Sequence, residues 1–82
     1  MKTIRYYAPI RAIVKKESED TELGTVKDVL DYIRKTYGKE AHTVAKSALI
    51  VVNDVSIGLY RGMKTPLNDG DTIGFLPVSG GG

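Results

Sequence analysis

The sequence predicts an α+β domain in which one main helix packs on a mixed β-sheet. Three observations support this fold class. Residues 25–37 carry apolar side chains at helical spacing, residues 2–8 and 49–52 are rich in strand formers, and residues 72–76 form another such stretch after a glycine-containing turn. The length of 82 residues corresponds to one small domain, with no room for a second.

The first two strands are predicted on either side of a short connection. Residues 2–8 contain several strand formers and end before Pro9, which cannot donate to a β-ladder. Residues 8–14 are too short for a stable helix, so we expect a turn there, at most one turn of 3₁₀ helix. Residues 17–23 follow with a polar alternation that is typical of an exposed edge strand.

The main helix has a predicted start, an apolar face and a predicted end. Thr25 can accept a hydrogen bond from the free backbone N–H groups of the first turn, and Asp28 occupies the third helical position. Gly38 supplies the stop. Apolar residues between them recur on one face and predict burial against the sheet: Val26, Val29, Leu30, Ile33 and Tyr37.

The remainder of the chain predicts the second half of the sheet. A weaker helix is expected over residues 39–48, before the continuous apolar run of a buried central strand at residues 49–52. Asn53 and Asp54 then turn the chain. The later segments are a short strand at 55–57, a loop-rich stretch at 58–71, and a last strand at 72–76 that Pro77 ends.

Composition and charge narrow the classes of function. The chain is 41% hydrophobic and 27% charged, as ordinary folded domains are. It has no cysteine, which excludes disulfides, thiolate zinc sites and cysteine nucleophiles. The net charge is only +2, and the sequence has no large cluster of basic residues. We therefore expect no nucleic-acid binding. No stretch approaches the ~20 apolar residues of a bilayer span, and no apolar signal region opens the sequence, so we expect a cytoplasmic protein without membrane contact.

The sequence closes on Ser79 followed by three glycines. At average glycine usage, three closing glycines occur about once in three thousand chains. A frayed chain end is one interpretation. The other is functional, because glycines remove every Cβ and let a segment pass through a narrow channel with its carboxylate foremost. Extended, residues 79–82 reach about 14 Å, enough to enter an active site in another protein.

Two other sequence features do not indicate a functional site. Residues 58–65 superficially resemble a phosphate-binding loop, but Met63 separates the second glycine from the lysine and no helix is predicted to follow. His42 is the only histidine and lies beside Glu40, where we expect a solvated surface position and no metal site.

Four stretches of the sequence carry a family resemblance. The most specific joins a glycine-aspartate turn, a strand and a diglycine at fixed spacing. The stretches are Ile4–Ala8 with Arg11, Thr25–Leu30, Val51–Asn53 and Pro66–Gly81 (PLNDGDTIGFLPVSGG). Together they span nearly the whole chain, which resembles the MoaD/ThiS family of ubiquitin-like sulfur carriers, and most closely its molybdopterin synthase small-subunit (MoaD) branch.

The resemblance implies a ubiquitin-like β-grasp fold of four to five strands in residues 1–78, followed by a flexible glycine tail at residues 79–82. It also implies that the protein is a co-substrate rather than an enzyme. The carboxylate of Gly82, next to Gly81, would be adenylated and then converted to a thiocarboxylate that donates sulfur in molybdopterin biosynthesis. Residues implied in partner binding are Phe75, Pro77, Val78, Ser79 and Gly80.

The same resemblance implies the partners. They are an adenylating enzyme of the ubiquitin-activating type, the molybdopterin synthase large subunit, and a sulfur donor such as a cysteine desulfurase or a rhodanese-like protein. ATP would be used by the activating partner, and this chain would bind no cofactor or metal itself.

The chain departs from the molybdopterin branch at its end, which often has two prolines and two glycines where this sequence has only Pro77 and three glycines. Other sulfur pathways therefore stay open: a tungsten-pterin cofactor, thiamine, cysteine or tRNA thiolation. Two alternatives of other classes are a ubiquitin-like protein modifier and an interaction module with an inert tail.

Overall fold

Residues 1–78, which the computed structural model describes, form a five-stranded mixed sheet with three α-helices over one face. The strand order across the sheet is β2-β1-β5-β3-β4. Strands β1 and β5 run parallel, and the other neighbouring pairs are antiparallel. The predicted α+β class and mixed sheet are confirmed. The strands are β1 (Lys2–Tyr6), β2 (Ser18–Thr21), β3 (Leu49–Val52), β4 (Val55–Ser56) and β5 (Thr72–Leu76).

Strand β5, the last of the sheet, lies at its centre and is paired along both edges. On one side Ile73 and Phe75 face Ile4 and Tyr6 of β1, and on the other side Phe75 faces Ile50 of β3. All five side chains are buried in the core, because alternate residues of neighbouring strands point to the same face. The strand that leads to the glycine segment is therefore firmly anchored.

The main helix, α2 (Val26–Tyr37), has the predicted limits. The Thr25 hydroxyl accepts a hydrogen bond from the backbone N–H of Asp28 at 3.1 Å, and Gly38 ends the helix with a φ of 101°. Burial of its aliphatic side chains contributes about 6–12 kcal/mol as an upper bound. The fully or nearly buried ones are Val26, Val29, Leu30 and Ile33.

Residues 10–14 correct the prediction of a turn, because they form a short α-helix, α1 (Ile10–Val14). The buried side chains of Ile10 and Val14 lie one helical turn apart and both pack into the core. A helix this short is unstable alone, so tertiary packing stabilises it. At its end Lys15 adopts a left-handed conformation and its N–H donates to the carbonyl of Arg11 at 2.7 Å.

The second predicted helix is confirmed as α3 (Lys39–Ser47), which follows α2 directly. Its two buried residues, Ala41 and Ala45, are small and are completely enclosed in the core. They allow α3 to approach α2 and α1 closely. The predicted turn at Asn53 and Asp54 is also confirmed, since φ angles of 51° and 68° match a hairpin of type I′.

The segment between β4 and β5 contains two short 3₁₀ helices, Ile57–Leu59 and Gly62–Lys64, in the stretch predicted to be loop-rich. No α-helix follows the phosphate-loop-like residues within the described chain, as expected. None of the helices in residues 1–78 has the length and apolar character needed to cross a membrane.

Candidate functional site

The candidate site is the point where the chain leaves the sheet after β5. Leu76 is the last residue paired with β3, opposite Leu49. Pro77 has no N–H to continue a β-ladder, and its side chain is exposed. Val78, which follows, is 63% exposed. Pro77 and Val78 thus present apolar surface beside the exit, and their role in partner binding stays a prediction.

The partner contact predicted for Phe75 stays a prediction, and the structure places this residue in the core. Its side chain is only 1% exposed and is packed into the core beside Tyr6 and Ile50. The reason is strand alternation, which turns Phe75 towards the helices. Phe75 therefore presents almost no surface of its own to solvent at the exit.

The other predicted site residues lie outside the part of the chain that the structure describes. These are Ser79, Gly80, Gly81 and Gly82. Their roles stay predictions. What the described residues establish is the place from which this segment departs, at the end of the central strand of the sheet.

An apolar groove of about 380 Å³ lies directly beside the exit. Helices α1 and α3 form its walls, and β5 with the residues after it forms the remaining side. Its described lining residues are all uncharged: Pro9, Ile10, Thr43, Val44, Ser47, Ala48, Phe75, Pro77 and Val78. The groove is called here the exit groove, and it was not predicted from the sequence, because residues far apart in the chain build it.

A second, larger hollow of about 570 Å³ lies at the opposite end of β5. Its wall includes Asn53, Arg61 and Asp71. The Asp71 carboxylate is held in place by hydrogen bonds from the side chain of Asn53 at 2.9 Å and from the backbone N–H of Asn68 at 2.8 Å. Unlike the exit groove, this hollow has charged side chains in its wall, and the length of the strand separates it from the exit.

Strand β2 carries a carboxylate that receives three phenol hydrogen bonds. The hydroxyls of Tyr6, Tyr32 and Tyr37 donate to Glu19 at 2.5, 2.6 and 2.7 Å. Lys16 lies 3.6 Å from the same carboxylate. We refer to Glu19 and the three tyrosines as the Glu19 cluster. The sequence predicted a polar edge strand here, but not the tyrosine partners of Glu19, which come from β1 and α2.

The electrostatics of the Glu19 cluster favour an ionised carboxylate. Burial opposes ionisation, but the three phenol donors outweigh it and lower the pKa of Glu19 below its ordinary value. Burial and the bond to Glu19 raise the pKa of Tyr6 far above the usual phenol value. The carboxylate thus stays charged and the phenols stay protonated at neutral pH. The cluster is suited to holding β2 against α2, not to proton transfer.

Within residues 1–78, no three histidine or acidic side chains gather as metal ligands would. His42 lies half-buried on α3. The site that the described residues support is therefore the point where the chain leaves β5, beside an apolar groove.

Comparison with known proteins places the chain in a family. Residues 4–82 match the model of the ThiS family. The chain belongs to the ThiS family. The match covers the glycine segment as well as the folded domain. No curated protein sequence matches the chain.

Solved structures confirm the ubiquitin-like β-grasp fold of this ThiS-family protein. A chain of the BexX/CysO complex from Amycolatopsis orientalis has 21% sequence identity, full coverage of both chains and a TM-score of 0.81. Small archaeal modifier protein 1 from Methanosarcina acetivorans has 24% identity, coverage of 99% and 95%, and a TM-score of 0.81.

A third similar structure is the complex of subunits 1 and 2 of the molybdopterin-converting factor from Helicobacter pylori. One of its chains is 28% identical to this protein, with coverage of 99% of this chain and 97% of that one, and a TM-score of 0.69. Proteins with this fold thus include a modifier and members of two protein complexes.

Proposed function

We propose that this ThiS-family protein is a sulfur carrier whose reactive group is the carboxylate of Gly82. The observation that carries the proposal is the family match, which continues from the central strand through the glycine segment to residue 82. The structure supports it, because β5 is paired on both edges up to Leu76 and then releases the chain at the exposed Pro77 and Val78. The folded domain would then present the glycine segment as a thin reactive arm.

The proposed chemistry begins with activation of a poor electrophile. The Gly82 carboxylate attacks the α-phosphate of ATP in an adenylating partner, which forms an acyl-adenylate and releases pyrophosphate. A sulfide nucleophile from the sulfur donor then attacks the acyl carbon. The new C–S bond replaces the C–O bond to AMP, and AMP leaves with the electron pair. The product is a thiocarboxylate, which is a soft nucleophile, and the carrier acts as co-substrate throughout.

We further propose molybdopterin synthesis as the pathway that uses the sulfur. The support is the 28% identity over nearly the full length of both chains with a component of the Helicobacter pylori molybdopterin-converting factor. In this pathway the arm would deliver its thiocarboxylate to a pterin precursor bound in the large subunit.

The direct test is the intact mass of the protein after incubation with its adenylating enzyme, ATP and sodium sulfide. We expect the mass to rise by the difference between sulfur and oxygen. A variant that ends at Gly80 is the control and should gain nothing. If the full chain releases no pyrophosphate and keeps its mass, the sulfur-carrier function is wrong. Sulfur transfer to the pterin precursor by the large subunit, followed with the same material, tests the pathway.

A second candidate function is protein modification, which shares the activation step. It is favoured by the structural likeness to small archaeal modifier protein 1. A modifier would form isopeptide bonds to lysines of target proteins. High-mass adducts on a denaturing gel that resist reductant and disappear when target lysines are replaced would support it, and their absence from cells that express the protein would argue for the carrier.

A further inference from the structure

We propose that the large hollow at the end of β5 opposite the exit binds a small organic carboxylate that carries a flat apolar group. We call this hollow the distal hollow. Its wall is formed by the turn after β3, the segment between the two 3₁₀ helices, and the turn that leads into β5. The proposal does not depend on the sulfur-carrier function, because the glycine segment takes no part in it. It adds a small-molecule site to the domain.

The distal hollow has the size and the mixed surface of a small-molecule site. Its volume of about 570 Å³ lies within the range of about 300–1,000 Å³ that is typical of ligand pockets. Apolar surface comes from Val52, which is only 3% exposed, from Pro66 and from the ring of Tyr60. A flat apolar group that lies against these side chains would be removed from water.

The carboxylate in the wall of the distal hollow, Asp71, already has partners within the domain. Its two oxygens accept hydrogen bonds from the side-chain amide of Asn53 at 2.9 Å and from the backbone N–H of Asn68 at 2.8 Å. The side-chain oxygen of Asn53 accepts in turn from the backbone N–H of Thr72 at 3.0 Å. This side of the hollow is therefore fixed before any ligand arrives, and donors of the domain offset the negative charge of Asp71.

Arg61 supplies the cation of the proposed site. The ion pairs found among residues 1–78 do not include it. Its backbone is held by the buried Thr65, whose hydroxyl accepts from the N–H of Arg61 at 3.1 Å and donates to the carbonyl of Gly62 at 2.7 Å. A guanidinium on a fixed backbone, without a carboxylate of its own, is suited to a ligand carboxylate, which can accept two parallel N–H···O bonds.

Two other hollows of the described chain lack this combination. On the open face of the sheet, the guanidinium of Arg5 lies 5.7 Å from the centre of the Tyr7 ring, so this cation already contacts an aromatic face. The hollow beside α2 is lined by two carboxylates, Asp28 and Asp31, against the single ammonium group of Lys35, and would disfavour an anion. The distal hollow alone of the three offers an unpaired cation beside apolar surface.

The position of the distal hollow keeps it apart from the reactive end of the chain. The five residues of β5 separate it from the exit by roughly 16 Å at about 3.3 Å per residue. A ligand in the hollow therefore leaves the exit uncovered, and the site can be tested in the full chain.

The test is a titration of the isotope-labelled full chain with benzoate, followed through the backbone amide signals. Benzamide is the matched probe, because it has the same ring and nearly the same shape without the charge. Arg61→Gln removes the proposed partner of the carboxylate. Arg34→Gln, on α2 outside the hollow, controls for the loss of one positive charge. Both arginines are exposed, so we expect both variants to keep the fold, and the same spectra report on it.

We expect benzoate to bind with a dissociation constant of about 1–10 mM, as for other ligands with nine non-hydrogen atoms. It should shift the amide signals of Val52, Thr65 and Asn68, and benzamide should bind more weakly. Arg61→Gln should raise the dissociation constant about tenfold or more, which corresponds to ~1.4 kcal/mol, while Arg34→Gln should match the wild type.

Three results would each overturn the proposal. The first is a set of benzoate shifts that do not saturate or that lie outside the distal hollow. The second is equal affinity of Arg61→Gln and Arg34→Gln for benzoate. The third is equal affinity of the wild type for benzoate and benzamide, because the hollow would then not recognise the carboxylate.

Discussion

The hydroxyl of Tyr32, on α2, donates a hydrogen bond of 2.6 Å to the carboxylate of Glu19, on β2. This bond joins the main helix to an edge strand that otherwise pairs only with β1 in the described sheet. Tyr37 makes a second such bond, and the rings of Tyr32 and Tyr37 meet edge to face with centroids 6.1 Å apart. The Glu19 cluster therefore fastens the edge strand β2 to α2 and β1.

We predict that Glu19→Ala lowers the free energy of unfolding by about 3 kcal/mol. The substitution removes charged hydrogen bonds and leaves the buried Tyr6 hydroxyl without its acceptor, and each effect contributes on the order of 1–3 kcal/mol. Urea unfolding of the variant provides the measurement. Glu17→Ala is the matched control, because Glu17 is exposed and forms only a surface ion pair with Arg11 at 3.6 Å. Equal losses in the two variants would contradict the prediction.

The contribution of Glu19 should also depend on pH. Its pKa in the folded protein is lowered, so its stabilisation is complete above the ordinary value of 4.5 and is lost as the pH falls through the folded pKa. We predict that the difference in unfolding free energy between the wild type and Glu19→Ala narrows from pH 6 to pH 3. Urea unfolding at several pH values measures it. A difference that stays constant, or grows in acid, would show that the carboxylate is not the stabilising form.

We predict that Gly38→Ala destabilises the protein by about 1–3 kcal/mol. Gly38 joins α2 to α3 with a φ of 101°, which side chains with a Cβ rarely adopt, although nothing lies within 4 Å of the added methyl group. The loss would thus come from backbone strain and not from a clash. Gly24→Ala is the control, since its added methyl group would only touch Asp28 at 3.8 Å. Thermal unfolding of both variants distinguishes them, and equal melting temperatures would oppose this explanation.

We predict that Gly81→Ala keeps the stability of the wild type but loses sulfur transfer. The added methyl group would crowd a narrow channel in the partner, while every core side chain of the described residues 1–78 is unchanged. Gly24→Ala again serves as control and should retain transfer. The measurements are the melting temperature and the fraction of protein converted to thiocarboxylate. Normal conversion of Gly81→Ala would contradict a narrow channel.

The sequence predicted the elements that local signals define. Thr25 and Gly38 mark the limits of α2 by capping chemistry alone, and both positions are confirmed. The helix at Ile10–Val14 was missed, because only packing of Ile10 and Val14 against distant residues makes so short a helix stable. Local signals therefore sufficed where the chain stabilises itself over a few residues.

The candidate site was predicted less completely than the fold. The exit at Pro77 follows from the missing N–H of proline, but the face to which Phe75 points depends on the register of β5 with its neighbours. The exit groove and the Glu19 cluster depend on side chains brought together from separate elements. The spacing of residues in the sequence does not predict contacts between separate elements, so these two features are visible only in the structure.

The central position of β5 has a mechanical consequence. If a partner holds the glycine segment as proposed above, separation of the two proteins would pull on Leu76 along the direction of the strand. Both edges of β5 are bonded, to β1 on one side and β3 on the other, so the load is shared among many hydrogen bonds at once and they do not open one by one. The sheet would thus resist unfolding under such a force.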